Sequence, residues 1–172
     1  SCGSLIMKSA CPAPSHPHLL ITGQSVEGLR SVEDLRRAVQ IGPPREIWKH
    51  LLEESERTLQ EDPYLPGSMC HGRDPGQAKL GNRDYVIVRA TCKRMQNDAL
   101  AWLVTGEDRF LTDAREQMEA IFDEDRWPRW PDQAHLDMGL EADLRTGQFM
   151  RSLGYVYDWL YRGLSDGDRR WI

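Results

Sequence analysis

The chain has 172 residues, of which 40% are hydrophobic and 28% charged, with a formal net charge of −5. That length supports one domain with a hydrophobic core, and no apolar run approaches the roughly 18 residues a bilayer span needs. Acidic and basic residues are interspersed, so nothing in the overall balance attracts nucleic acid or an anionic membrane.

Residues 1–15 read as an irregular lead-in. Ser1-Cys2-Gly3-Ser4 has the look of a bacterial lipoprotein start after its signal peptide, and equally of a cloning remnant. Pro12, Pro14 and Pro17 exclude an early helix. His16-Pro17-His18 has the look of a metal pair, but a proline-rich segment with two surface histidines is the plainer expectation. Cys2, Cys11, Cys70 and Cys92 match no zinc spacing and do not establish disulfides. No metal or cofactor is expected.

Ser25 or Ser31 can cap a first short helix, with Leu29, Val32, Leu35 and Val39 at three- and four-residue steps. Gln40 to Pro44 break it. Pro44 suits the first turn of a second helix, which carries Trp48, Leu51, Leu52, Ser55 and Leu59 on one stripe and stops around Glu61–Gly67. Pro63 to Asn82 is the longest candidate loop. Its Cys70-His71 pair is a poor nucleophile and base, because adjacent side chains rarely face each other.

The clearest helix spans Arg83 to Val104, with Val88, Cys92, Met95, Ala99 and Trp102 recurring at steps of four and three. Cys92 reads as a small core residue. Gly106 supplies a left-handed C-cap. The next helix places Phe110, Leu111, Ala114, Met118, Ile121 and Phe122 on one face, and so short a link makes the two helices antiparallel. A tryptophan-rich segment then enters a final long helix that begins at His135 and Asp137. Leu140, Leu144, Gly147, Met150, Leu153, Val156 and Leu160 cover most of its circumference, which predicts burial between neighbours on several sides. Ser165 or Asp166 would cap a last helix. The fold expected is all-α: antiparallel helical hairpins in layers, with no strand-period segment and no fixed repeat.

Three stretches carry a resemblance. "HPHLLITGQSVEGLR", "ALAWLVTGEDRFLTDAREQMEAI" and "WPRWPDQAHLDMGLEADLRTGQFMRSLGYVYDWLYRGLSDGDRRWI" occur in order from His16 to Ile172. Together they are similar to the N-terminal part of the heparinase II/III-like polysaccharide lyases. The resemblance implies that residues 16–172 are the N-terminal portion of an (α/α) toroid. It also implies a secreted or periplasmic enzyme cleaving uronate-containing glycans by β-elimination. That reaction needs the uronate carboxylate neutralised, and a base and an acid at C5 and the leaving oxygen. Relatives use an Asn-His pair and a tyrosine beyond the segments matched here. This sequence has no Asn-His dipeptide, so no catalytic residue is carried over and the chain alone is expected to be inactive. A related toroid hydrolase or epimerase, or a non-catalytic carbohydrate-binding module, are the alternatives.

Sugars are gripped by aromatic faces, and their carboxylates by guanidinium groups. The substrate-binding candidates are therefore Trp127 and Trp130 in the proline-stiffened loop, His135 at the helix start, and Arg145; Asp137 and Arg89 are weaker ones. Each has a structural reading beside it: loop anchors for the tryptophans, a hydrogen-bonding role for His135, the helix dipole for Asp137, and salt bridges for the arginines. Tyr155, Tyr157, Trp159 and Tyr161 read as core or inter-helix residues. The expected partner is an acidic polysaccharide or oligosaccharide, with no nucleic acid and no membrane span. An exposed apolar flank would allow self-association.

Overall fold

The computed structural model describes residues 16–67 and 83–172. Cys2, Cys11, Cys70 and His71 lie outside them. The chain is all-α apart from two short strands, β1 (Ile21–Thr22) and β2 (Arg30–Ser31), which pair in parallel with Ile21 opposite Arg30. The helices are α1 (Val32–Ala38), α2 (Gly42–Thr58), α3 (Arg83–Thr105), α4 (Asp108–Phe122), α5 (Gln133–Asp137), α6 (Leu144–Leu160) and α7 (Asp168–Trp171). None is long and apolar enough to cross a membrane among the described residues.

Local chemistry sets most boundaries. Ser31, not Ser25, caps α1: its hydroxyl accepts from Asp34 N at 3.1 Å, while the Asp34 carboxylate accepts from Ser31 N at 3.0 Å. This reciprocal box satisfies two amide donors that an open helix end leaves unpaired. It also holds the Asp34 carboxyl down at about 2, chiefly through the Ser31 backbone and hydroxyl bonds. Leu29 precedes the helix and is exposed, so it does not share the α1 stripe. Prolines occupy the first turn of α2. Gly106, at φ +75°, donates to Trp102 O at 2.7 Å and ends α3 as its composition predicts. Ser165 and Asp168 exchange hydrogen bonds before α7 in a second reciprocal pair.

α3 is the hub, packing against α2, α4 and α6. The Gly106-Glu107 link folds α4 back along it. Val88, Cys92, Met95 and Ala99 are buried as the periodicity requires, and Ile87, Ala101 and Leu103 join them. Cys92 meets α6, where its thiol approaches Gln148 O and Ser152 Oγ donates to its carbonyl. Burial pushes that thiol up to about 11, which fits an inert core residue. From α4 come Phe110, Ala114, Met118 and Ile121, whereas Phe122 is exposed. From α6 come Phe149, Leu153, Val156, Trp159 and Leu160. Each large side chain fully buried here contributes about 1.5–3 kcal/mol.

Two expectations about the last long helix are corrected. It starts at Leu144, after a separate one-turn helix α5, because Asp143 forms a capping box with Thr146 and Gly139 adopts φ +75° just upstream. Nor is it enclosed on several sides. Leu144 is 66% and Met150 60% exposed, and Leu140 is also open. The helix surrounded by neighbours is α3. Met150, Gly154 and Tyr157 line an open apolar recess with Phe122 and Ile172, so α6 does carry an exposed apolar flank. A second apolar groove of about 250 Å³ runs between α1, α2 and α3, lined by Leu35, Ile47, Trp48, Leu51 and Leu100 among others.

The turn after α6 is tight. A Cβ at Gly163 would lie 2.7 Å from Trp102 Cζ2 and 2.8 Å from Leu111 Cδ2. Gly163→Ala should therefore cost about 1–3 kcal/mol, read as a lower denaturation midpoint. Gly154→Ala is the control. Nothing lies within 4 Å of its Cβ, and a glycine inside a helix gives up about 0.5–1 kcal/mol relative to alanine, so this variant should be neutral or more stable.

Candidate functional site

After α4 the chain reverses at Asp123, whose carbonyl accepts from Trp127 N at 2.7 Å. This delivers the Trp127-Pro128-Arg129-Trp130-Pro131 segment onto the end of the core. Trp127 is buried and meets Phe149 edge-on, with ring centroids 5.1 Å apart. Trp130 is half-buried, packs beside Phe149 and Phe122, and donates through Nε1 to Ile121 O at 2.8 Å. Both tryptophans thus anchor the loop. Trp127 also lines a cavity.

That cavity has a volume of about 230 Å³ and is lined by Pro66, Ile87, Trp127, Pro128, Arg129, Pro131 and Arg145. Its polar lining is Arg129 and Arg145, and a relay of helix caps leads to Arg145. Asp132 caps α5, its Oδ1 accepting from His135 N at 2.9 Å and meeting His135 Nδ1 at 2.7 Å. Asp132 N donates to Asp143 Oδ2 at 2.8 Å. Asp143 caps α6, and its Oδ1 accepts from Arg145 N and Thr146 N at 2.8 and 3.0 Å. Arg145 Nε returns to Asp143 Oδ2 at 3.1 Å, with both side chains buried. Two predicted residues, Trp127 and Arg145, therefore share one cavity, and His135 stands at the far end of the carboxylate relay.

Bonds from the His135 side chain and backbone hold the Asp132 carboxyl below the usual carboxylate range. A carboxylate on Nδ1 fixes the imidazole and leaves Nε2 to meet a ligand. Arg129 is exposed at the rim and makes no ion pair among the described residues. The arrangement offers an aromatic edge, a guanidinium held by a buried acid, a second guanidinium in solvent, and an oriented imidazole. Those groups suit an anionic, hydroxylated ligand.

Arg89 is exposed on α3 and does not enter this group. Asp137 ends α5 instead of starting a helix, so the helix dipole does not explain it; it accepts from Gln133 Nε2 at 2.6 Å. Asp132 and Asp143 went unread in the sequence. The signal was there: each stands three residues before the backbone N–H that it caps.

Two further polar clusters were also missed. His16 and His18 are not a loose surface pair. Both Nδ1 atoms approach Asp158 Oδ1, at 2.6 and 3.3 Å, while Asp158 Oδ2 accepts from His18 N and Leu19 N at 2.9 and 2.8 Å. The His16 ring stacks on Tyr161. The His16–Leu19 segment is thus docked on the end of α6, whose Trp159 is buried and whose Tyr155 and Tyr157, with Tyr161 just beyond, are half-buried.

The other cluster lies between α2, α3 and α4. Arg94, with a side chain only 1% exposed, forms a two-pronged bond to Asp113 at 2.8 and 2.7 Å. It also donates to the carbonyls of Thr58, Glu61 and Asp62. One turn along, Asp98 is fully buried and, as a carboxylate, would receive no hydrogen bond on either oxygen. Burial, then the neighbouring Asp113 carboxylate, pushes its carboxyl up to about 9. The fold therefore favours the neutral form of Asp98 beside the Asp113 carboxylate. No cavity opens on this cluster among those described, and it reads as a structural seam.

No protein-family model, curated protein or solved structure matches the chain.

Proposed function

We propose that this chain belongs to the N-terminal portion of a heparinase II/III-like polysaccharide lyase with an (α/α) toroid, and that the Trp127–Arg145 cavity holds part of a uronate-containing glycan. The carrying observation is the convergence of Trp127, Arg129 and Arg145 on one cavity, with Arg145 linked through Asp143 and Asp132 to His135. The ordered resemblance from His16 to Ile172 supports the family assignment.

β-Elimination next to a carboxylate develops negative charge on that carboxylate, so cations facing it lower the barrier. In this reading Arg129 draws the acidic sugar to the rim. Arg145, oriented by Asp143, meets it inside, and Trp127 offers an apolar edge to the ring. The base and acid of the elimination lie outside these residues. Secretion or export to the periplasm follows from the same reading, because the polymer is extracellular.

Calorimetric titration with a uronate oligosaccharide and a neutral one of equal length tests this. The acidic ligand should bind and the neutral one bind much more weakly. Arg129→Glu, a change at an exposed side chain, should weaken the acidic ligand by about tenfold or more, equivalent to about 1.4 kcal/mol. Equal binding of the two ligands, or an unchanged affinity in Arg129→Glu, would sink the proposal. This chain alone should release no unsaturated uronate from acidic polysaccharides.

A further inference from the structure

We infer that His16, His18 and Asp158 form a binding site for one zinc-class divalent cation, which clamps the His16–Leu19 segment to the end of α6. Three donor atoms of the right chemistry, two imidazole Nδ1 and one carboxylate oxygen, lie within 4.8 Å of one another. Zinc at about 2.0–2.2 Å from each ligand in tetrahedral geometry sets its donors about 3.3–3.5 Å apart. The His18 Nδ1 to Asp158 Oδ1 separation of 3.3 Å is already such an edge. The His16 Nδ1, at 2.6 Å, needs to withdraw by about 0.7 Å to match it.

The surroundings favour a held carboxylate and two guided rings. Asp158 is buried, and its Oδ2 is fixed by the His18 and Leu19 amides, so Oδ1 is the oxygen turned to both imidazoles. Outer bonds of this kind orient a metal-binding carboxylate. Trp159 Nε1 donates to Leu19 O at 2.9 Å, which keeps the histidine segment in place without an ion. Tyr161 backs the His16 ring at 3.8 Å between centroids. His18 is the most open of the three, with 41% of its side chain exposed, leaving a solvent side for entry and for a water as fourth ligand. Without metal, the His16 Nδ1 hydrogen-bonds Oδ1 as the proton donor, and the His18 Nδ1 stands 3.3 Å from the same oxygen. With metal, the proton moves to Nε2 and the lone pair at Nδ1 binds the ion. Two imidazoles and one carboxylate select zinc, cobalt, nickel or copper over calcium or magnesium, which require more oxygen ligands.

The test uses the full chain stripped with a chelator and titrated with Zn²⁺ by calorimetry and with Co²⁺ by visible absorption. Because thiols also take up these ions, the titrations are repeated in a Cys2→Ser, Cys11→Ser, Cys70→Ser variant. One equivalent should bind in both proteins, with a cobalt spectrum free of thiolate charge-transfer absorption and no competition from excess Mg²⁺ or Ca²⁺. His18→Ala, at an exposed ring, should weaken binding at least about tenfold while circular dichroism stays unchanged. His16→Asn should do the same. Absence of saturable binding, loss of it with the cysteines, or its survival in His18→Ala would each overturn the site.

Discussion

Arg94→Met is expected to remove about 3–5 kcal/mol of stability, the largest single loss outside the apolar core. The guanidinium joins three elements at once. It pairs with Asp113 of α4 through two parallel bonds and closes the carbonyl end of α2 by donating to Thr58, Glu61 and Asp62. Tyr64 covers it, with the guanidinium 4.8 Å from the ring centroid, and Gln117 in turn holds the Tyr64 backbone at both its N–H and its C=O. Methionine matches the stem but leaves Asp113 without a counter-ion and three carbonyls without donors. A chain of this size loses about 2–4 °C per kcal/mol, so the melting temperature should fall by roughly 6–20 °C. Lysine should rescue little, since one ammonium group cannot reproduce the planar fork. Adding Asp113→Leu to Arg94→Met should recover part of the loss, because the stranded charge is then gone. A double variant as unstable as the sum of the two singles would show that the pair does not act as a unit.

Asp98→Asn should move stability the other way, and by an amount that grows with pH. A carboxyl whose pKa is raised on folding contributes fully below its unfolded value, near 3.8, and that contribution is lost as pH rises towards about 9. Over that window the unfolded chain gives up a proton that the folded chain keeps, costing up to about 1.4 kcal/mol per pH unit. Asparagine keeps the shape, brings an N–H donor beside the Asp113 carboxylate, and has no proton to lose. At pH 8 it should stabilise by about 1–3 kcal/mol, and at pH 4 it should be near neutral. Denaturant titrations of both proteins from pH 4 to 8 give the readout. The carboxyls held low, Asp34, Asp132 and Asp168, titrate below this window and do not confuse it. Parallel stability curves for the two proteins would remove Asp98 as the source of the slope.

How much of this was legible in the sequence follows from the range of the interactions. α3 and α4 declare themselves by period, and their turn by Gly106, because helix phase and left-handed backbone are local properties. The start of α6 was misplaced because Leu136, Leu140 and Leu144 continue a helical spacing across a break made by Gly139 and Asp143. Capping overrode periodicity there. Arg94, Asp98 and Asp113 fall outside the apolar stripes by which α3 and α4 are read, yet α3 packs against α2, α4 and α6, so these polar groups are buried together. Trp127 and Arg145 could be proposed one by one. Their sharing of a cavity depends on Ile87 and Pro66, distant residues that no local pattern connects to them.

The bond between His16 and Asp158 joins residues 142 positions apart. Synthesis proceeds from the N-terminus at about 5–20 residues per second. The His16–Leu19 segment therefore emerges with no binding place and waits about 7–30 s for its acceptor to be made. During that interval α3 and α4 can close their hairpin from local contacts, while the segment that will overlie the end of α6 stays available to other binders. Docking of the His16–Leu19 segment is thus a late event in the life of each new molecule, and the His16–Asp158 contact reports that α6 has been made.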